Sequence, residues 1–371
     1  MKTTNPENIR NILIYRCGTI GDTLVAVPAV NLLMNYFKKS VFSLITANNS
    51  DGKVWADEIL REFNWFKNFL TYPSSDLKKP KNILGLIRRV HKLKPDMVVY
   101  MAGDKNSGMR ILRDRMFFHL CGIRRFVPFY SPKVNFWGHL RKADRVYPWE
   151  VVRLTEGLKD LGIENRKISF DLPIQEKHVQ KVSKLISESA LDSKRLLIGM
   201  CPWSKQESKR WPLERYAQLG ERLIKELGIN IVIVGGEEEA VVGENISRSW
   251  LKDRLAILAG KLGILETAEL LRRCHFYVGN DTGAMHLAAA VETPCVAIFS
   301  AKDPKGSWFP FGDSHIVLRK NVPCQNCYLT KCEHYDLRCL KEISLEEVWL
   351  HCQKMFEIQR KTSSKASNGL T

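Results

Sequence analysis

The chain has 371 residues, of which 44% are hydrophobic and 26% are charged, the composition of an ordinary water-soluble globular protein. That length exceeds one typical hydrophobic core and predicts two domains of about 150 to 200 residues each. The sequence contains no run of about 18 apolar residues, which a membrane-spanning helix needs, and Arg16 interrupts the first apolar stretch. We therefore expect a cytoplasmic protein without a spanning segment or a signal peptide.

The formal net charge of +17 is concentrated in the first half of the chain. Residues 1–175 contain 29 Lys and Arg against 16 Asp and Glu, whereas residues 176–371 contain 28 against 24. This asymmetry predicts an anionic partner for the first half: nucleic acid, a phospholipid surface or an acidic glycolipid. The alternative is a solvated basic surface with no dedicated partner.

The first predicted strand, residues 11–15, ends in the loop 16–22 and leads into a helix. Apolar residues recur along that helix at Leu24, Val27, Val30, Leu33 and Phe37. A strand at 41–46, a basic amphipathic helix at 83–93 and a strand at 97–101 follow. Strands and helices in alternation predict a parallel sheet.

A second alternating series starts near residue 196. It opens with a strand at 196–200, a helix at 213–227 and a strand at 229–234. The remaining predicted elements are a helix around 239–250, a strand at 255–258, a helix at 264–274 and strands at 276–278 and 295–300. The simplest architecture is two successive doubly wound α/β halves, with ligands at the carboxyl ends of the strands.

The segment 276–290 is the most informative stretch of the sequence. A short strand stops at Gly279, a small polar cluster follows, and an Ala-rich helix begins. Free amides at a helix start, together with the helix dipole, form a seat for phosphate, and His286 would face it. The alternative is that Asp281 and Thr282 only cap the helix and that His286 is an ordinary, partly buried histidine.

Gly21 and Asp22 lie in the loop after the first strand, where an open α/β sheet places functional groups. The Asp22 carboxylate could cap the following helix, or it could act as a general base that takes a proton from an incoming hydroxyl.

Ser204, Lys205 and Lys209 follow the first strand of the second series. A lysine at this point can neutralise a diphosphate as a point charge, although a solvated lysine is the more common outcome.

Three glutamates, residues 237–239, follow a strand and the pair Gly235-Gly236. An acidic residue at such a strand end commonly binds ribose hydroxyls, whereas the alternative is acidity favoured by the helix dipole. Neither the dinucleotide fingerprint nor a Walker-type loop is present.

The cysteines divide into scattered residues and one cluster. Five of them suit reduced, partly buried thiols: Cys17, Cys121, Cys201, Cys274 and Cys295. Four others fall within sixteen residues, with His334 among them: Cys324, Cys327, Cys332 and Cys339. This Cys cluster indicates a structural Zn or iron–sulfur site more readily than disulfides, although its spacing matches no finger signature.

Taken together, these motifs resemble glycosyltransferase family 9, the bacterial heptosyltransferase family, from about residue 10 to residue 350. The resemblance rests on four features: the Gly-Asp loop with Pro28 in the following helix, Lys209-Arg210-Trp211-Pro212, the Gly-Gly-Glu strand end, and Asp-Thr-Gly-x-x-His with its Ala-rich continuation. It implies an α/β protein of the GT-B fold, with two Rossmann-like doubly wound domains facing across a cleft. It also implies an inverting sugar transfer that requires no cofactor.

The resemblance assigns roles to individual residues. Asp22 matches the catalytic base, and Lys209 matches the lysine that holds the donor diphosphate. The matching substrate-binding residues are Gly18, Gly21, Ser204, Lys205, Glu237 with Glu238 as its rival, Asp281, Thr282, Gly283 and His286. The implied donor is ADP-L-glycero-D-manno-heptose or another nucleotide sugar, and the implied acceptor is the anionic lipopolysaccharide inner core.

The expected organisation is an acceptor-binding domain at residues 1–175 and a nucleotide-sugar-binding domain at 190–345. A C-terminal helix at 346–360 and a disordered tail at 361–371 would follow. We expect peripheral binding to the cytoplasmic face of the inner membrane and no nucleic acid partner. An aromatic and basic group could contact that membrane, or could instead form a core cluster: Phe129, Phe136, Trp137, Arg141 and Lys142.

Two other hypotheses compete with the enzyme. A basic nucleic-acid or membrane-surface protein would gather Lys and Arg around the Cys cluster. Residues 321–345 instead hold three Lys and Arg against three Asp and Glu. A sugar-nucleotide-binding protein without activity is disfavoured because Asp22 and Lys209 are both present.

Overall fold

A computed structural model describes residues 6–48, 56–101, 108–128, 146–164, 167–333 and 335–368. The chain divides into two compact units. The first comprises Met1–Lys142 and Pro148–Asp171, and the second comprises Ala143–Tyr147 and Leu172–Thr371. The aromatic and basic group at residues 129–142 and His334 lie outside the described residues.

The first unit is built on a parallel sheet. Its strands are β1 (Asn11–Tyr15), β2 (Val41–Ala47), β3 (Asn68–Tyr72), β4 (Met97–Tyr100) and β5 (Arg125–Pro128). Its helices are α1 (Ile20–Leu24), α2 (Val27–Tyr36), α3 (Ala56–Phe63), α4 (Pro80–Lys92), α5 (Gly108–Leu120) and α6 (Glu150–Glu156). Among the described residues the strand order is β3-β2-β1-β4-β5, the Rossmann arrangement in which the order reverses between β1 and β4.

The single helix predicted after β1 is wrong, because α1 ends at Leu24 and α2 begins at Val27. Pro28 occupies the first turn of α2, where its missing N–H costs no hydrogen bond. A continuous helix would bring its ring against the carbonyl of Leu24. The break therefore confines Asp22 to a single short turn of helix.

Helices α4 and α5 pack their buried sides on one hydrophobic cluster of the first unit. Leu86 and Val90 of α4 join Phe118 of α5 and Tyr100 of β4 in this cluster. The two helices therefore belong to one layer over the sheet, and their opposite sides face outward.

The second unit has a parallel sheet of β6 (Leu197–Cys201), β7 (Asn230–Ile233), β8 (Leu255–Ile257), β9 (Phe276–Asn280), β10 (Cys295–Phe299) and β11 (Ile316–Arg319). Its helices are α7 (Glu176–Glu188), α8 (Leu213–Leu227), α9 (Glu237–Ile246), α10 (Ile264–Arg272), α11 (Gly283–Ala290), α12 (Arg338–Lys341) and α13 (Leu345–Asn368). The order β11-β10-β9-β6-β7-β8 is again the Rossmann one. The adjacent strands β6 and β9 mark the reversal, with Cys201 opposite Gly279. The loops that leave these two strands therefore start side by side.

The core of the second unit surrounds Trp211, which is fully buried. Its Nε1 donates to the carbonyl of Ile343 at 2.8 Å, and its backbone N–H donates to Asn280 Oδ1 at 3.1 Å. Trp211 thereby fixes the segment after Lys209 against the end of β9.

Two expected boundaries differ from the structure. Helix α7, which lies in the predicted interval between the domains, belongs to the second unit, because Lys181 forms an ion pair with Glu266 and Arg273 donates to the carbonyl of Val179. The disordered tail predicted from Lys361 is also wrong as far as Asn368, since α13 continues to that residue. Extending an existing helix requires no new nucleation, which offsets the weaker helix propensity of the Ser, Thr and Asn of this segment.

Candidate functional site

In the first unit, Asp22 is held by a local hydrogen-bond pattern. Thr19 is the N-cap of α1, and its backbone N–H donates to Asp22 Oδ2 at 3.1 Å. The Thr19 hydroxyl lies 3.3 Å from the same oxygen. Within the described part of the chain, both contacts use Oδ2, and the side chain is half-buried. Asp22 therefore does cap its helix, as one alternative predicted, and Oδ1 remains available for other chemistry.

Gly18 is required by the position of Asp22. Its φ is +142°, and a Cβ on this residue would lie 2.3 Å from the Cβ and 2.8 Å from the Oδ2 of Asp22. No side chain fits at that distance, and this backbone conformation strongly favours glycine. Gly18 thus leaves the space that the Asp22 side chain occupies.

Arg16 is one of the residues to which the sequence motifs assign no role. It is 1% exposed, and its Nε donates to the Asp22 carbonyl at 2.9 Å, while Nη1 donates to the carbonyl of Met101 at 2.8 Å. Burial lowers the pKa of Arg16, and the nearby charges of Asp22 and Glu150 oppose that shift. The guanidinium therefore joins the ends of β1 and β4 to the loop that carries the carboxylate. The signal in the sequence that could have identified it is a charged residue directly after a mostly apolar strand.

In the second unit, Lys209 lies in a buried charge cluster. Its Nζ is 2.5 Å from Asp281 Oδ2 and 3.5 Å from Asp303 Oδ2, with all three side chains at most 14% exposed. His286 Nε2 lies 3.9 Å from the other oxygen of Asp281. The structure thus brings Lys209, Asp281 and His286 together, as expected, and adds Asp303. Two carboxylates offset the ammonium charge, so an incoming phosphate would exchange with carboxylate partners of Lys209.

The start of α11 distinguishes between capping and ligand binding. Thr282 is the N-cap residue, but its side chain makes no capping hydrogen bond and its hydroxyl instead lies 3.9 Å from Cys201 Sγ. Asp281 directs its carboxylate to Lys209 and His286. Among the described residues, neither side chain caps the helix. The amides from Gly283 onward therefore keep their capacity for an anion.

The other predicted donor-site residues lie around the loop after β6. Ser204 is buried, its hydroxyl accepts the backbone N–H of Gln206 at 3.3 Å, and its carbonyl accepts Arg210 Nε at 2.6 Å. Lys205 is exposed. Trp203 stacks on the guanidinium of Arg210 at 3.4 Å from the ring centre, so an aromatic side chain that the sequence analysis overlooked lies in this loop.

The three glutamates at the start of α9 have different surroundings. Glu239 Oε2 accepts the backbone N–H of Gly236 at 2.9 Å, so the helix-terminal role belongs to this residue. Glu237 and Glu238 are exposed, and Glu238 accepts a hydrogen bond from Trp203 Nε1 at 3.2 Å. Glu238 is therefore joined to the loop after β6.

The Cys cluster lines one small cavity of about 20 Å³, the space of about one water molecule. Burial and the neighbouring thiols raise the pKa of Cys324 and of Cys339, and the backbone N–H of Leu337 donates to Cys332 Sγ at 3.3 Å. Among the residues that the structure describes, no three His, Cys, Asp or Glu side chains are placed to hold one metal ion. The thiols therefore converge on one cavity without forming a completed metal site.

The segment that carries the Cys cluster contacts both loops of the charge cluster. Ser208 donates from its N–H to the Thr330 carbonyl at 3.1 Å and from its hydroxyl to the Leu329 carbonyl at 2.7 Å. The backbone N–H of Tyr328 donates to the carbonyl of Lys302 at 3.0 Å, next to Asp303. The position of Lys209 and that of Asp303 thus depend on the same stretch of chain.

Two Rossmann-ordered parallel sheets, each with polar groups at the ends of its central strands, are the arrangement found in the GT-B class of proteins. The chain belongs to glycosyltransferase family 9 (heptosyltransferase), whose family model matches residues 138–336. The family and fold predicted from the sequence are therefore confirmed.

Individual relatives agree with this assignment. The chain is 29% identical over 219 residues to lipooligosaccharide heptosyltransferase 2 of Haemophilus influenzae, a match that covers 52% of this chain and 62% of that relative, less than two thirds of its length. The structure of the Escherichia coli ADP-heptose lipopolysaccharide heptosyltransferase II is similar with a TM-score of 0.66 at 18% identity, covering 94% of this chain and 99% of that one.

A third similar structure is the iron-containing dodecameric glycosyltransferase TibC of enterotoxigenic Escherichia coli H10407. Its TM-score is 0.53 at 14% identity, and the alignment covers 98% of this chain and 78% of TibC. At these identities both solved structures establish the fold only. In the part of the chain that the structure describes, the helices are too short or too polar to cross a bilayer.

Proposed function

We propose that the protein is an inverting glycosyltransferase that moves a heptose from ADP-L-glycero-D-manno-heptose to an anionic lipopolysaccharide inner-core acceptor. Membership of the heptosyltransferase family supports the reaction class. The observation that carries the proposal is the buried Lys209–Asp281 pair beside a helix start that neither Asp281 nor Thr282 caps. This arrangement suits a diphosphate, which needs a cation and free amides together.

In the proposed reaction, the Asp22 carboxylate accepts the proton of the acceptor hydroxyl. The hydroxyl oxygen forms a bond to the anomeric carbon while the bond from that carbon to the ADP oxygen breaks, and ADP leaves with the electron pair. Attack from the face opposite ADP inverts the anomeric configuration. Arg16 and Gly18 would keep the carboxylate in place, because both contact the Asp22 loop.

Lys209 and the amides at the start of α11 would stabilise the charge that develops on the departing diphosphate. One well-placed donor of this kind contributes about 3 to 4 kcal/mol to transition-state stabilisation. His286 would contact the same phosphates from the first turns of α11, and Ser204 and Lys205 would line the loop after β6. Glu237 or Glu238 would bind the nucleoside, since both are exposed at the start of α9.

The partners follow from the charge of the first unit and from the acceptor. An anionic, lipid-anchored acceptor fits the excess of Lys and Arg over acidic residues in residues 1–175. The protein would act in the cytoplasm at the inner membrane surface, bound peripherally and without a nucleic acid partner. We expect the transfer to need no cofactor.

We also propose that the Cys cluster holds a structural Zn or Fe ion with no part in the transfer. Soft thiolates suit either metal, and an ion would bring the four thiols of the existing cavity onto one centre. The iron of TibC, a protein of similar fold, favours this proposal.

The decisive experiment measures sugar transfer with a panel of nucleotide sugars. Asp22→Asn should lower kcat by about 10²- to 10⁴-fold, the usual contribution of a general base. Asp160→Asn, an exposed carboxylate of the same unit, is the matched control and should be silent. Unchanged transfer by Asp22→Asn would remove Asp22 as the base, and efficient use of a different donor would replace heptose.

Lys209→Met tests the donor site separately. ADP binding measured by calorimetry should weaken, and kcat should fall by about 10²- to 10³-fold because the leaving diphosphate loses its cation. Lys225→Met, a lysine of an exposed ion pair on α8, provides the control. Equal ADP affinity in Lys209→Met and wild type would contradict the diphosphate role.

A further inference from the structure

We propose that the outward faces of α4 and α5 form a docking surface for an anionic lipid bilayer. This inference rests on the proposed function, because it names the surface that would bring the enzyme to a membrane-anchored acceptor. The proposed surface consists of residues of the first unit that do not belong to the Asp22 loop. The charge cluster around Lys209 lies in the second unit.

Helix α5 is apolar on two opposite sides, and only one of them is buried. Phe118 packs in the core at 1% exposure. The four apolar residues of the other side are spaced three or four apart and therefore lie along one stripe. These residues are Met109 at 61%, Leu112 at 50%, Met116 at 61% and Leu120 at 68% exposure. An exposed stripe of this length on a soluble protein marks an interaction surface.

The surroundings of the stripe are basic. Helix α4 contains four Lys and Arg and no acidic residue, and its exposed positions include Lys81, Arg88 and the apolar Leu84, which is 48% exposed. On α5, Arg113 and Arg115 are exposed. The only acidic residue of α5 is Asp114, which is 8% exposed, accepts the Tyr100 hydroxyl at 2.5 Å and forms an ion pair with the exposed Arg113. Exposed charge on these two helices is therefore positive.

This combination fits a bilayer better than a protein. Met and Leu side chains can enter the acyl region while the long stems of Lys and Arg keep their charges at the headgroups. A second copy of the chain docked through the same face would bring two basic faces together, because a two-fold interface pairs the same patch of both copies. Anionic headgroups instead complement the whole face, and the excess positive charge of residues 1–175 adds long-range attraction.

The test uses the full chain and sedimentation with vesicles of phosphatidylcholine alone or mixed with phosphatidylglycerol. Wild type should bind the mixed vesicles and not the neutral ones. The double variant Leu112→Ser/Met116→Ser should bind at least about tenfold more weakly, since two buried apolar side chains are lost. Arg88→Gln/Arg115→Gln should weaken binding and flatten its salt dependence. Leu350→Ser, at a 60% exposed position of α13, is the matched control and should bind like wild type.

Two results would overturn the assignment. One is vesicle binding by Leu112→Ser/Met116→Ser that equals that of wild type. The other is a change from dimer to monomer in this variant, measured by light scattering, while its vesicle binding stays unchanged. That result would make this face an interface between copies of the chain. Transfer to a water-soluble, delipidated acceptor separates this inference from the proposed function. Both variants should keep wild-type rates there, whereas an inactive wild type would contradict the function and not the docking surface.

Discussion

The hydroxyl of Ser208 donates a hydrogen bond to the carbonyl of Leu329 at 2.7 Å. This contact joins the short 3-10 helix that ends at Lys209 to the segment between Cys327 and Cys332. Ser208 is 4% exposed, so water does not replace the bond when it is lost. The position of the Lys209 ammonium therefore depends on a stretch of chain that does not itself reach the charge cluster.

Ser208→Ala should raise the donor KM more than it lowers kcat, because Lys209 loses a support while remaining present. The unsatisfied Leu329 carbonyl should also lower the free energy of unfolding by about 1 to 3 kcal/mol. Steady-state kinetics with varied donor measure the first effect, and Ser208→Thr should restore it. Ser187→Ala, which removes an exposed hydroxyl bonded to the Lys184 carbonyl on α7, is the control. A pure loss of stability with unchanged KM would refute the positioning role.

Gly18→Ala should reduce activity strongly, because the added Cβ would meet the Cβ of Asp22 at 2.3 Å and the φ of +142° is strained for alanine. We expect the protein to fold with a loss of about 1 to 3 kcal/mol, so that kcat per folded molecule still falls. Transfer assays normalised to the folded fraction measure this.

The matched control for Gly18 is Gly85→Ala in α4. A Cβ there meets no atom within 4 Å, so this substitution should stabilise the protein by about 0.5 to 1 kcal/mol through helix propensity. It should leave transfer unchanged. If both glycine variants kept wild-type kcat, the steric link between Gly18 and Asp22 would be unimportant for catalysis.

His315 predicts a loss of stability in mildly acidic solution. Its Nδ1 accepts the Cys295 N–H at 3.1 Å and its Nε2 donates to the Phe311 carbonyl at 3.1 Å, so the ring is neutral. Burial lowers its pKa below the ordinary 6.5, opposed by the smaller effects of the Phe311 carbonyl and Asp313. Below that ordinary value the unfolded chain binds a proton that the folded chain does not. Stability should therefore be intact above pH 6.5 and fall as the pH drops toward the folded-state pKa.

Denaturant titrations between about pH 7.5 and pH 5 measure how the free energy of unfolding changes with pH. One histidine contributes at most about 1.4 kcal/mol per pH unit to this slope. His315→Asn should reduce the slope without abolishing it, because burial also lowers the pKa of His275. His119→Asn, at an exposed position, should leave it unchanged. An equal slope in wild type and His315→Asn would show that the pKa of His315 is the same in the folded and the unfolded protein.

The Cys cluster predicts a metal content that can be measured directly. Protein purified without oxygen should contain about one equivalent of Zn or Fe, and Cys327→Ser/Cys332→Ser should lose it. Removal of the metal should lower the melting temperature. Cys121→Ser, a buried thiol of the first unit, should retain the metal. A wild-type content below about a quarter of an equivalent would exclude a structural metal site.

Most of the strand and helix framework could be predicted because its signals are local. Strand β1 and helix α8 have the predicted bounds, since an apolar run and an amphipathic repeat are visible in consecutive residues. The edge strands β3, β5 and β11 were missed, because short strands at a sheet edge are not apolar throughout. The break between α1 and α2 could have been predicted from Pro28 alone.

The charge cluster shows what a linear pattern cannot provide. The motif residues Lys209 and Asp281 could be identified as site residues, but their direct pairing at 2.5 Å could not. Asp303 carries no motif and reaches Lys209 only because the loops after β6, β9 and β10 leave the same edge of the sheet. The contact of the Thr282 hydroxyl with Cys201 on the neighbouring strand, at 3.9 Å, also joins residues that are far apart in the sequence.

The family, the two Rossmann-type series and the candidate residues could be predicted from the amino-acid order, since these depend on short-range patterns along the chain. The contacts of Arg16 with the Asp22 loop, the support of Lys209 by the Cys segment and the exposed side of α5 became evident from the three-dimensional structure alone. Each of these depends on which distant segments pack together, and hydrogen bonding and burial between such segments leave no periodic trace in the sequence.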